Sequence, residues 1–253
     1  MDEYDVEIFN PEGKPTGITV FLPGTLMCLD TFQTTVDCIV EQSQVVIGFK
    51  LLNPLPIVGK SHNKMAEEVA GVVAAFRALD GNEGLPSKYN IVGHSLGGKV
   101  ALMVAAKFDI KNVNKIIALD PVDAKPRELT APRLSPRCKL SNSEASEIHL
   151  FQSEKGGDGL IPLCPSDSNA SVVKEIYPDQ ISSLFINEGA GHMAYQDTSE
   201  DDASVKARGI VRAKIAEVIT WMLWCYIVAG KTDPAFIATK DYISHTIHTG
   251  IWC

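Results

Sequence analysis

A serine stands at the centre of Gly93-His94-Ser95-Leu96-Gly97-Gly98, behind the apolar run Tyr89 to Val92 and ahead of small and apolar residues from Gly97 to Lys107. A serine hydroxyl is a poor nucleophile at its ordinary pKa, so it needs a base beside it and a place at the edge of a rigid sheet. A strand-to-helix turn of the form G-x-S-x-G provides that place. Gly93 and Gly97 relieve crowding around a strained serine, and the helix that starts there aims its positive end at a developing oxyanion. The five-residue pattern alone is only moderately specific. A strand before it and a helix after it separate it from a glycine-rich turn without chemistry.

Acyl transfer also needs two N–H groups facing the oxyanion. One normally comes from the residue after the nucleophile, here Leu96, and the other from a loop behind an early strand. Phe21-Leu22-Pro23-Gly24-Thr25 is such a loop, which makes the Thr25 amide the first choice and Leu26 the second. Where serine, acid and histidine follow in that chain order, the base lies late in the sequence. The late histidines are His149, His192, His245 and His248. His149 falls mid-strand in EIHLF and reads as structural, and the last two have no strand in front of them. His192 follows a strand and a Gly-Ala-Gly turn, from which it can swing over the sheet edge toward Ser95. His94, inside the motif, is directed away from Ser95 by its place beside it. For the acid, Asp120 immediately follows KIIAL and is held by Pro121, Asp158 lies in a Gly-Gly-Asp-Gly loop after EIHLF, and Asp123 is a third option. A strand end places a side chain more precisely than a glycine-rich loop does, which favours Asp120 while leaving the others open.

These residues require a sheet whose strand ends converge. Short apolar runs alternate with longer helical patterns along the chain, the signature of a parallel sheet covered by helices. The strands expected are Gly17 to Leu22, Gln44 to Phe49, Tyr89 to Val92, Lys115 to Leu119, Glu147 to Phe151 and Ser182 to Ile186. The helices expected are His62 to Leu79, Gly97 to Lys107 and Ala203 to Ala229. Together with the serine turn they predict an α/β-hydrolase fold: a mostly parallel central sheet with helices on both faces, forming a single domain over residues 1–253. The long loop from Asp123 to Ser146 reads equally as part of a substrate lid and as a plain surface excursion. The segment after Gly230 has no clear pattern.

A net charge of −8 and a pI near 5.3 argue against a nucleic-acid partner. The most apolar helical stretch, Ile215 to Ala229, contains Glu217 and is shorter than the roughly 20 residues that a bilayer core requires. No membrane span is expected, and peripheral contact with membranes stays open. The start, Met1-Asp2-Glu3-Tyr4-Asp5, carries acid where targeting peptides carry basic residues, so no address is visible and plastid and cytoplasm are both open. Cys28, Cys38, Cys138, Cys164, Cys225 and Cys253 form no CxxC pair and no metal-like spacing with histidine. Most are expected to be buried free thiols, with a Cys138–Cys164 bridge the one pairing left open. Neither a metal nor a cofactor is called for.

Four segments, in order, resemble the chlorophyllase family, the serine esterases that cleave the phytyl ester of chlorophyll in chlorophyll degradation. FLPGTLM is similar to the family's FLHGYLL-like segment, and GHSLGGK, ending at Lys99, to its GHSRGGK turn. Leu119-Asp120-Pro121-Val122-Asp123-Ala124 is similar to its I-D-P-V-A-G segment, and Gly191-His192-Met193-Ala194 to its G-H-M-D motif. The similarity runs from about residue 17 to 229. It implies a catalytic triad of Ser95, Asp120 and His192, a chlorophyll or related apolar ester as substrate, and products chlorophyllide and phytol released through an acyl-enzyme. Three positions depart from the pattern: Leu96 replaces an arginine, Pro23 a histidine and Ala194 an aspartate. Leu96 and Thr25 would act through backbone amides, so the departures alter the mouth of the site rather than its reacting groups. The same residues are compatible with a general carboxylesterase or lipase, and with a catalytically silent binding protein of this fold.

Overall fold

The structure is a computed structural model and describes residues 5–50, 61–109, 111–123, 147–156, 170–176, 178–179 and 181–228. Its frame is one seven-stranded sheet formed by β1 (Val6–Phe9), β2 (Gly17–Leu22), β3 (Gln44–Phe49), β4 (Tyr89–His94), β5 (Val113–Leu119), β6 (Glu147–Ser153) and β7 (Ile181–Asn187). The spatial order is β1-β3-β2-β4-β5-β6-β7. Only β1 runs antiparallel, against β3, and every other neighbouring pair is parallel. Strands β2, β3 and β4 are buried at every position, which is why they read in sequence as unbroken apolar runs rather than as alternating patterns.

Among the described residues five α-helices accompany the sheet: α1 (Gln33–Glu41), α2 (His62–Arg77), α3 (Leu96–Met103), α4 (Ala170–Ile176) and α5 (Asp202–Val228). Ser61 caps α2 by accepting a hydrogen bond from the Lys64 N–H, and Met65, Val69, Val72 and Phe76 return to the same face with helical spacing. On α5 the buried positions Ala207, Val211, Ile215, Val218 and Ile219 do the same. Two separate cores result. Ile18, Val20 and Leu22 of β2 pack with Val69 and Val73 of α2 and Val100 of α3. Phe21, Val46, Val92 and Leu119 pack on the other face with Val36 and Ile39 of α1 and Val211 and Ile215 of α5. Lys115, buried on β5, crosses to α5 and donates to the Val218 carbonyl at 2.8 Å.

The order of strands has a consequence for ligand binding. From β2 the chain moves to β3 on one side, then returns so that β4 lies on the other side of β2. The helices after β2 and β4 accordingly cover opposite faces, the arrangement that in open α/β sheets places a crevice beyond the carboxyl ends of the two strands. Such a switch point is where open α/β sheets bind their ligands. The two turns at this crevice are Pro23 to Thr25 and the turn at Ser95.

The expected strands are all present, with β4 running on to His94, β5 starting earlier at Val113, β6 continuing to Ser153 and β7 covering Ile181–Asn187. Helix α2 stops at Arg77, short of Leu79, and the helix expected from Gly97 opens at Leu96 and ends in a π-helical turn over Val104–Phe108. Strand β1 and helices α1 and α4 were not foreseen. Cys38 is buried, and that burial pushes its thiol up to about 11, whereas Cys28 is exposed; both are free. No helix among the described residues is long and apolar enough to cross a membrane. Residues 124–146 of the long loop, Asp158, Cys138, Cys164, Cys253, His245, His248 and the segment after Gly230 lie outside the described residues.

Candidate active site

Ser95 occupies the single residue between β4 and α3 with φ 54° and ψ −117°. A side chain in the left-handed region is strained, and it persists only where the surroundings over-determine it. Those surroundings are visible. The Ser95 N–H donates to the Leu119 carbonyl at 2.9 Å, and the Ser95 carbonyl accepts from Val122 and Lys99 N–H groups, each at 3.2 Å. The flanking glycines are required by space: a Cβ on Gly93 would lie 2.5 Å from the backbone of Gly97, and one on Gly97 would lie 2.2 Å from the Leu22 carbonyl oxygen. The second contact shows that the N-terminus of α3 is seated directly on the end of β2. Ser95 is only 5% exposed, so it is buried at the strand ends rather than held out at an open edge.

Parallel register brings the next strand ends alongside. His94 of β4 pairs with Leu119 of β5, and Leu119 with Phe151 of β6. The residue after β5 is Asp120, whose φ of 43° also lies in the left-handed region. Its N–H donates to the Phe151 carbonyl, which turns the buried carboxylate across the strand ends. There it accepts three hydrogen bonds: from the Ser153 N–H at 3.0 Å, from the Ser153 hydroxyl at 2.6 Å and from the His192 Nδ1–H at 2.6 Å. Among the described residues, four non-glycine residues have positive φ, and three of them, Leu26, Ser95 and Asp120, belong to turns at this crevice.

His192 begins a short 3-10 turn, His192–Tyr195, behind β7. Its N–H donates to the Gly156 carbonyl at 2.7 Å, and Arg208 of α5 ties down the turn by donating to the carbonyls of Ala194 and Gln196. The imidazole is fully buried. Its Nδ1–H is committed to Asp120, which directs the second ring nitrogen, Nε2, away from the carboxylate.

No protein-family model matches this chain, and no curated protein matches it.

The structure therefore brings Asp120 and His192 into direct contact, and puts Ser95 and the Pro23–Thr25 turn at the same switch point. Asp123 is not part of that contact: its carboxylate forms a buried ion pair with Lys99 Nζ at 2.5 Å. His149 hydrogen-bonds through Nδ1 to Ser183 of the neighbouring strand β7 at 2.7 Å, a structural role in keeping with its mid-strand position. Leu96 is the first residue of α3, and N–H groups in a first helical turn have no intrahelical acceptor. Thr25 follows Gly24 in the turn behind β2, where Leu26 adopts φ 57° with its side chain 54% exposed. Among the described residues no group of three or more His, Cys, Asp or Glu side chains could hold a metal ion.

Two roles at the site were not foreseen from the sequence, that of Ser153 and that of His94, which the sequence set aside only as the base. Ser153 gives Asp120 two of its three hydrogen bonds, and its only sequence signal is a small hydroxyl residue at the end of a strand next to the one carrying the acid. His94 donates through Nε2–H to the His192 carbonyl at 2.9 Å and packs its ring on the His192 ring, with centroids 4.7 Å apart. Burial, and next the neighbouring His192 charge, lower its pKa to about 3, so His94 is neutral at ordinary pH.

Proposed function

We propose that this protein is a serine esterase of the α/β-hydrolase fold in which Ser95 is the nucleophile, His192 the general base, and Asp120 the residue that orients and stabilises the imidazole. The observation that carries the reading is the coincidence, at one topological switch point, of a left-handed Ser95 and the buried Asp120–His192 pair at 2.6 Å. Strain at a serine has a use when it presents the hydroxyl, and a histidine with Nδ1–H bound to a carboxylate keeps Nε2 as the basic nitrogen.

In this mechanism His192 Nε2 takes the Ser95 proton as Oγ attacks the ester carbonyl. Charge developing on the carbonyl oxygen is met by the N–H groups of Leu96 and Thr25, assisted by the positive end of α3. The proton then passes from His192 to the departing alcohol, and water drawn through the same base frees the acid from the acyl-enzyme. No step calls for a metal or a cofactor.

The four segments similar to chlorophyllases support the phytyl ester of chlorophyll as the substrate, with chlorophyllide and phytol as products. The exposed apolar Leu26 beside the Thr25 amide suits a large apolar ester. The test compares wild type with Ser95→Ala, Asp120→Asn and His192→Ala in fluorophosphonate labelling, release of chlorophyllide from chlorophyll, and hydrolysis of short nitrophenyl esters. Labelling of wild type but not of Ser95→Ala, with chlorophyllide formed by wild type alone, is the expected result. Nitrophenyl hydrolysis without chlorophyllide reassigns the protein as a general carboxylesterase. Absence of labelling removes the esterase reading in favour of a silent binding protein.

A further inference from the structure

We infer that His94 is a positioning residue for His192, holding the main chain and the ring of the base together in the orientation that the chemistry requires. The inference rests on the esterase reading for its kinetic meaning, but its geometry stands apart from it. A backbone carbonyl only accepts hydrogen bonds, so the 2.9 Å contact with the His192 oxygen fixes the proton of His94 on Nε2. His94 is fully buried and neutral, which leaves Nδ1 bare and without a hydrogen-bond partner among the described residues. That nitrogen faces the turn behind β2, where a Cβ on Gly24 would stand 3.1 Å from it.

One ring therefore touches two parts of the site. Its Nε2–H holds the His192 backbone, its ring packs against the His192 imidazole at an interplanar angle of 33°, and its far nitrogen abuts the turn that carries Thr25. Phe32 at 5.3 Å and Tyr195 at 5.7 Å close around it, so that it has no room to turn. A carbocyclic ring here could fill the space but could not hold the backbone of His192. A flexible amide could hold the backbone but could not pack a ring against the imidazole. Histidine does both, and its low basicity in this enclosure keeps a second positive charge away when His192 takes up a proton.

Two variants separate these parts. His94→Phe keeps the ring and loses the donor, whereas His94→Gln keeps a donor nitrogen at the same reach and loses the ring. The readouts are kcat and KM on a nitrophenyl ester, the midpoint of the kcat/KM pH profile, thermal unfolding, and the NMR resonance of the His192 Nδ1–H in labelled protein. His94→Phe is expected to stay folded, to lose about 10- to 100-fold in kcat with KM within about twofold, and to shift both the pH midpoint and the Nδ1–H resonance. His94→Gln is expected to recover most of kcat. In a His192→Ala background the His94→Phe change is expected to leave the residual rate as it is. A His94→Phe enzyme with wild-type kcat, pH midpoint and Nδ1–H resonance overturns the inference. Should wild type hydrolyse no ester and take no fluorophosphonate, the esterase reading fails, and the Nδ1–H resonance in His94→Phe alone decides the positioning role.

Discussion

Alanine at Gly97 is a one-carbon test of how the Ser95 turn is built. The added Cβ would stand 2.2 Å from the Leu22 carbonyl oxygen and 2.5 Å from that of Pro23. Carbon and oxygen in close but tolerated contact are about 3.3 Å apart, so the N-terminus of α3 and the end of β2 would have to part by about an ångström. Both obstacles are backbone, so no side chain can swing aside. Overpacking of this kind costs about 1–3 kcal/mol, and a rigid backbone on both sides points to the upper end. The separation would also move Ser95 and the Leu96 amide against the turn carrying Thr25, and an ångström of misplacement costs roughly 100-fold in rate. Gly209 serves as the control: it lies within α5 with nothing within 4 Å of its would-be Cβ, so alanine there should stabilise by up to about 1 kcal/mol. Urea unfolding midpoints at constant m, together with kcat on a nitrophenyl ester, measure both effects. A Gly97→Ala protein with wild-type midpoint and wild-type kcat would refute the packing argument outright.

Ser153→Ala removes the hydroxyl donor on Asp120 and keeps the backbone one, so kcat should fall about tenfold with KM little changed, in keeping with the worth of one hydrogen bond to a charged group. Lys99→Met leaves Asp123 buried opposite an apolar chain and should lower stability by about 3–5 kcal/mol in urea titration, whereas Lys99→Met combined with Asp123→Leu should regain most of it. The pH dependence of stability follows from His94 and His62, lowered to about 3 and about 4, in each case first by burial. Below the ordinary histidine value of about 6.5 the unfolded chain binds these protons and the folded one does not. Stability from these two groups is therefore complete above about pH 6.5 and is lost as pH falls toward 4 and 3. Over that window, His94→Gln should show a shallower fall in unfolding free energy than wild type, by about 1.4 kcal/mol per pH unit, and equal slopes would count against a neutral buried His94.

The central strands were legible because burial on both faces writes them as continuous apolar runs, and Gly93-His94-Ser95-Leu96-Gly97 was legible because its crowding leaves few residue choices. Asp120 and His192 could be placed because each directly follows a strand or a strand-and-turn. Strand β1 was not legible: Val6-Glu7-Ile8-Phe9 is a four-residue edge strand with a charged residue in it, recognisable only once β3 is there to pair with. Helix α1 lacks a side-chain cap and carries paired threonines, so its local signal is weak and its helicity comes from packing Val36 and Ile39 on the sheet. Ser153 and His94 take their roles from partners set by strand register, at positions 33 and 98 residues away in the chain. No local pattern encodes contacts of that range.

The Asp120–His192 contact is made across the carboxyl ends of strands that leave the ribosome in sequence, with Ser95 emerging on the order of a hundred residues before His192. At common translation speeds that interval is on the order of ten seconds. For all of it Asp120 has no His192 to hold, and the Ser95 turn itself is fixed only once Leu119 and Val122, which hold its backbone, have emerged. Only when β7 adds to the edge of β6, and Arg208 of α5 pins the turn behind it, does His192 arrive. The Asp120–His192 contact is thus among the last of the site to form, and a product truncated before β7 lacks it.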